Sequence, residues 1–115
     1  MKIKTSGEKS SSSNKDHFRL RHRIMKRLYE IFQDYPYASI ELSQIAEECH
    51  ANSRELNWNI VYLEKCGYVE LGKSIGSPPY IASSAAITAK GIDLVEDENG
   101  FNRRFAEGKD EQPDT

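Results

Sequence analysis

Between residues 42 and 63 the apolar positions recur every three or four residues, which is the spacing of an amphipathic helix. Two sets of positions share this spacing: Leu42, Ile45, Ala46 and Cys49, followed by Leu56, Ile60 and Leu63. Residues 50–52 interrupt the repeat, and Ser53 is a predicted cap that would accept a bond from a free amide of the second helix. Gly67 is predicted to end that helix, because glycine adopts a left-handed cap without steric cost. Two short helices joined by a tight turn form a helix-turn-helix.

The flanking pattern predicts further elements on both sides of this pair. A first helix should run from a cap at about Asp16 to near Tyr35, because Pro36 disfavours helical geometry at the residue before it. Strands are predicted at residues 38–41, at 68–73 and within 80–87, with turn residues at 74–79. Thr88 should cap a last helix that ends at Asn99-Gly100, after which Phe101 and Phe105 can fold back. The predicted core-facing positions of the two outer helices are Ile24, Leu28, Ile31, Phe32 and Tyr35 in the first, and Ile92 and Val95 in the last.

Length and composition indicate one small domain. Of 115 residues, we expect 1–15 and the acidic segment 106–115 to be disordered tails, since both offer little to bury, and 16–105 to fold. The formal net charge of −2 shows that the whole chain is not a polycation. We expect no signal peptide and no membrane span, and hence a cytoplasmic protein.

The predicted order is helix, strand, helix, turn, helix, strand, wing, strand, helix. The stretch Leu63-Glu64-Lys65-Cys66-Gly67-Tyr68-Val69-Glu70 resembles the helix-to-wing junction of prokaryotic, archaeal and phage winged helix-turn-helix regulators. The stretch from Ile87 to Asp93 (ITAKGID) resembles the junction before their last helix. The resemblance implies an α+β, mainly α fold with a three-helix core, a small antiparallel β wing and a C-terminal helix.

The resemblance also implies a DNA-binding transcriptional regulator whose recognition helix, about 53–66, enters the major groove of double-stranded DNA. With Leu56, Ile60 and Leu63 turned inward, the outward residues are Arg54, Asn57, Trp58, Val61, Tyr62 and Lys65. Asn57 could bridge an adenine, and Arg54 could read guanine or hold a phosphate. Phosphate contacts would come from the wing, about 73–80, and from basic side chains elsewhere. These side chains are Lys73, Arg19, Arg21, Arg23, Lys26, Arg27 and Lys90.

Alternatives remain open for several of these residues. Trp58 and Tyr62 could pack beneath the wing or the N-terminal arm, bind a protein partner or a second copy, or stack on a base. The basic half of the first helix could instead be a solvated helix surface. The alternative function is a protein-protein interaction module that uses Trp58, Val61 and Tyr62 on the same scaffold.

No pattern of residues predicts an enzyme. His17, His22 and His50 lack metal-ligand spacing, and Cys49 and Cys66 are better explained as small core residues than as ligands with His50. The sequence shows no glycine-rich phosphate loop, and the run Glu96-Asp97-Glu98 is interpreted as surface. We therefore expect no catalytic residue, no metal and no cofactor. One module contacts few base pairs, so a homodimer is expected, with Phe101, Phe105 and the outer helices as candidate contacts.

Overall fold

The computed structural model describes residues 4–72 and 78–105, with side chains described from Asp16 onward. Helices and a small sheet alternate along this part of the chain. The elements are α1 (Lys4–Asp34), β1 (Ile40–Glu41), α2 (Leu42–Cys49), α3 (Ser53–Lys65), β2 (Val69–Gly72), β3 (Ser84–Ile87), α4 (Ala89–Glu96) and α5 (Glu98–Arg104). None of the described helices combines the length and the apolar character needed to cross a bilayer.

The predicted strands are confirmed and form one antiparallel sheet in the order β1-β3-β2. Ile40 pairs with Ala85 on one side of β3, and Val69 pairs with Ile87 on the other. The strands β2 and β3 form the base of the predicted wing. Residues 73–77, which include Lys73, lie outside the described residues.

Helix α1 ends where the sequence predicts but begins earlier. It stops at Asp34, directly before Tyr35-Pro36, whereas its start at Lys4 shows that the predicted cap at Asp16 is wrong. No proline occurs between residues 4 and 34, so nothing in the backbone chemistry forces a later start. The predicted core position Tyr35 is also wrong, because it follows the last helical residue and is 69% exposed. The predicted tail of residues 1–15 and the boundary at residue 16 stay predictions, and residues 106–115 lie outside the described part.

Helices α2 and α3 form the predicted helix-turn-helix. Every predicted inward position is confirmed as buried, with Leu56, Ile60 and Leu63 fully inaccessible to solvent. Ser53 is not the cap of α3, because Asn52 one residue earlier takes that role. The Asn52 side chain accepts from the amide of Glu55, whose carboxylate accepts from the Asn52 amide. This reciprocal capping box satisfies two amides of the first turn, which favours Asn52 over Ser53.

The C-terminal part packs onto the same core. Gly67 ends α3 with φ +86°, and the Thr88 hydroxyl caps α4 by accepting from the Gly91 amide, both as predicted. The predicted helix end at Asn99-Gly100 is wrong, since Asp97 caps a new helix, α5, that contains both residues. Phe101 and Phe105 do fold back as predicted. They are 3% and 1% exposed, so they are not available as a dimer surface.

Candidate nucleic-acid interface

The outward face of α3 carries the residues that the sequence places there. Arg54, Trp58 and Lys65 are exposed, and Asn57, Val61 and Tyr62 are half-buried. The opposite side of the same helix is the fully buried stripe of Leu56, Ile60 and Leu63. The helix is therefore held by its apolar side and presents a mixed basic and apolar side.

A groove of about 920 Å³ lies between α3 and the chain that leads into β3. Its apolar lining comes from Trp58 and Val61 of α3 and from Pro79 and Ile81 across the groove. Trp58 is 65% and Ile81 is 60% exposed, which is unusual for such large apolar side chains. The sequence gives no signal for Ile81, because its neighbour across the groove is more than 20 residues away in the chain.

Asn57 is bound to the backbone next to the wing. Its amide nitrogen donates to the carbonyl of Pro79 at 2.9 Å, and its amide oxygen accepts from the amide of Ile81 at 2.9 Å. The bidentate geometry that an adenine would need is thus already used within the protein. Reading of adenine by Asn57 stays a prediction, and it would require both bonds to open. In this structure Asn57 fixes the groove by joining its two sides.

Tyr62 packs within the protein, as one of its alternatives anticipated. The guanidinium carbon of Arg21 lies 3.8 Å from the centre of its ring, and Arg104 donates to its hydroxyl at 2.9 Å. A hydrogen bond with Cys66, together with partial burial, raises the pKa of Tyr62. Tyr62 thus joins α3 to α1 and α5.

Trp58 behaves differently from Tyr62. The structure shows a T-shaped contact between its ring and the His17 imidazole, with ring centres 4.7 Å apart, yet most of its surface remains exposed. Packing beneath the arm therefore covers only part of the indole. The exposed part borders the groove, where it is available for contact.

A polar network that was not predicted links α1 to the middle of α3. Asn59 is fully buried and accepts from Nε of Arg21 at 2.8 Å. Its amide nitrogen donates to the Glu55 carbonyl at 2.8 Å and bonds Nδ1 of His17 at 3.1 Å. Burial lowers the pKa of Arg21. The signal was present, because Asn59 lies three residues after Leu56 and four before Leu63, within the buried stripe.

Replacing Asn59 by alanine should destabilise the fold by about 2–3 kcal/mol, since Arg21 would lose its acceptor in a partly buried site. Urea unfolding measures the change. The double variant Arg21→Met/Asn59→Leu removes both polar partners. It should therefore lose less stability than the summed losses of Arg21→Met alone and Asn59→Leu alone. Additive costs would contradict the coupling.

The basic segment of α1 is divided between internal contacts and exposed groups. Arg21 turns inward, and Arg27 donates to Glu48 at 2.7 Å and to Glu30 at 3.3 Å. The hydrogen bond with Glu48 is the main reason that the pKa of Arg27 is raised. Arg23 is exposed and reaches the Cys49 carbonyl at 3.4 Å, while Lys26 is exposed. The exposed side chains of this segment are in line with a solvated helix surface, and its phosphate contacts stay a prediction.

The remaining predicted residues lie apart from the groove. Arg19 is half-buried and lines a smaller cavity beside the turn between α2 and α3, together with Arg23 and His50. Lys90, at the start of α4, is exposed with its ammonium 5.7 Å from the centre of the Tyr68 ring. Neither is a neighbour of Trp58 in the groove.

The cysteines belong to the packing of the domain. Cys49 is 4% exposed, and burial raises the pKa of its thiol. The Cys66 sulfur accepts from Arg104 at 3.4 Å. Within the described residues, no three side chains of histidine, cysteine, aspartate or glutamate are grouped as a metal site would require.

The chain is similar to known proteins in its fold. No protein-family model matches the sequence, and no curated protein matches it significantly. Among solved structures, the chain is similar to a mutant of MepR from a multidrug-resistant S. aureus clinical isolate. The identity is 14% and the TM-score 0.53, over 97% of this chain and 91% of that one. The transcriptional regulator PA4135 is 17% identical, with a TM-score of 0.48 over 97% and 90% of the two chains. The arrangement of α1–α5 around a three-stranded sheet, together with the first likeness, shows that this chain has the winged helix-turn-helix fold.

Proposed function

We propose that this protein is a DNA-binding transcriptional regulator and not an enzyme. The observation that carries the proposal is the two-sided character of α3. Its inner stripe is fully buried, and its outer face presents Arg54 and Lys65 to solvent. A helix held in this way can enter a major groove while the protein stays folded around its other side.

The mechanism is binding without chemistry. Residues of α3 approach base edges, while the wing and exposed basic residues of α1 such as Arg23 and Lys26 approach phosphates. Binding as a homodimer would double the number of contacts and require two half-sites. Its contact surface would use exposed parts of α1 or α5, because Phe101 and Phe105 are buried. A regulator of this prokaryotic, archaeal or phage type would act on DNA in the cytoplasm.

A salt titration of DNA binding tests this function. The full chain is mixed with fluorescein-labelled 30-base-pair duplexes of random sequence, and anisotropy is measured between 50 and 200 mM NaCl. Four phosphate contacts would give a slope of about −3.6 in log K against log salt, hence roughly 100-fold weaker binding over this range. An affinity that is insensitive to salt, or no binding at 50 mM, would reject the proposal. The protein-interaction alternative predicts that second outcome.

Replacing Arg54 by alanine should reduce the magnitude of the salt slope by about one if Arg54 contacts a phosphate. The matched control is Arg103→Ala. Arg103 is an exposed arginine of α5, outside the groove, and its removal should leave the slope unchanged when size-exclusion chromatography shows the oligomeric state of the wild type. Equal slopes for the two variants would remove Arg54 from the interface without excluding DNA binding by other residues.

A further inference from the structure

The groove beside α3 is apolar at the place where a DNA reader usually presents polar side chains. Trp58, Val61 and Ile81 line it, and two of these three are more than half exposed. Leaving an indole and an isoleucine in water forfeits the free energy that their burial would provide. No side chain in the described part of the protein buries them, although Tyr62, one turn away from Trp58, is packed against Arg21.

Several polar side chains of the same groove are already engaged by the fold. Asn52 and Glu55 bond each other in the capping box, and both ends of the Asn57 amide bond the backbone of Pro79 and Ile81. Among the described residues, the structure shows no hydrogen bond or ion pair for the side chain of Arg54. The groove therefore offers an apolar wall with an available guanidinium at its edge.

One group of the DNA major groove is complementary to such a wall. The C5-methyl of thymine projects into the major groove and is recognised by apolar contact, whereas the other base edges there are hydrogen-bonding groups. Arg54 at the border supplies charge that suits the DNA backbone better than an apolar protein surface. We propose that Trp58, Val61 and Ile81 form a surface that selects thymine by its methyl group. This inference rests on the proposed DNA-binding function.

Asn57 has a positioning role in this surface. Its two bonds hold Ile81, which belongs to the segment before β3, at a fixed place opposite Trp58 and Val61 of α3. A methyl group can be contacted from two sides only if the distance between the two sides is fixed. With both bonds closed, Asn57 thus contributes to sequence choice by positioning Ile81.

The experiment begins with selection of bound duplexes from a random 30-base-pair library by the full chain. The selected duplex is then synthesised again with deoxyuridine at single thymine positions. Deoxyuridine keeps the base pairing and lacks only the methyl group, so the change isolates the proposed contact. We expect enrichment of A·T pairs, and about fourfold weaker binding for each contacted methyl that is removed.

Two variants assign the effect to the surface. The Trp58→Ala variant should bind the two duplexes, with thymine or deoxyuridine at the position that Trp58 contacts, with affinities within twofold of each other. Arg54→Ala should weaken both duplexes while keeping the difference between them. Circular dichroism checks that both variants are folded, which is expected because both side chains are exposed.

The outcomes separate this inference from the function on which it rests. If wild-type protein binds DNA with a steep salt dependence but does not distinguish thymine from deoxyuridine at any position, the thymine surface is wrong and DNA binding stands. An unchanged deoxyuridine effect in Trp58→Ala would also overturn the assignment. If no duplex binds at 50 mM salt, the proposed function fails, and the inference fails with it.

Discussion

Replacing Ile60 by alanine should destabilise the protein by about 2–5 kcal/mol, the range observed for deletion of a large buried aliphatic side chain. Ile60 is fully inaccessible to solvent and lies in the stripe of α3 between Leu56 and Leu63. Its removal takes away apolar contacts and leaves a cavity that the rigid helix cannot fill by moving. Because small domains have only about 5–15 kcal/mol of stability in total, this single change removes a large part of it.

Urea unfolding followed by circular dichroism measures the effect, and the chain supplies a matched control. Ile81→Ala is the same chemical change at a side chain that is 60% exposed, so it should cost less than about 1 kcal/mol. Similar losses for the two variants would contradict the buried stripe and the placement of α3. A loss confined to Ile60→Ala would support it.

Replacing Gly91 by alanine should also destabilise the fold, although alanine is normally the better helix former by about 1 kcal/mol. A methyl group at Gly91 would overlap the carbonyl oxygen of Tyr68 and lie 2.8 Å from the side chain of Ile87. Helix α4 would have to move away from the sheet, which strains the bond from the Thr88 hydroxyl to the Gly67 carbonyl at 2.6 Å. Overpacking of this kind costs about 1–3 kcal/mol, and more where backbone must shift.

The midpoint of urea unfolding tests this expectation, with Asp93→Ala on the same helix as the control. Asp93 is exposed, so its replacement should leave the midpoint unchanged or slightly raised. A stabilised Gly91→Ala variant would show that helix propensity outweighs the close approach, and that α4 has room for a methyl group against the sheet.

The candidate site was predictable to the extent that it depends on one helix. The outward position of Arg54, Trp58 and Lys65 follows from the rotation of 100° per residue once Leu56, Ile60 and Leu63 are known to be inside. The groove was not predictable, because its second wall comes from Pro79 and Ile81. No local pattern places those residues beside Trp58.

Tertiary contacts also changed the interpretation of two predicted DNA-binding residues. Asn57 bonds groups 22 and 24 residues away in the chain, and Arg21 bonds Asn59 38 residues away. Both side chains have the chemistry of nucleic-acid contacts. Which partner such a side chain takes depends on distances that only the folded chain sets.

The sequence by itself determined the helix-turn-helix, the three strands and the buried side of α3, because apolar spacing, proline positions and caps act over a few residues. Small errors at helix ends, such as Ser53 in place of Asn52, arose where two neighbouring residues have similar capping chemistry. Only the tertiary structure decided that Tyr62 is packed, that Trp58 is exposed, and that Phe101 and Phe105 belong to the core. The physical reason is that burial depends on which surfaces meet, and these surfaces come from elements far apart in the chain.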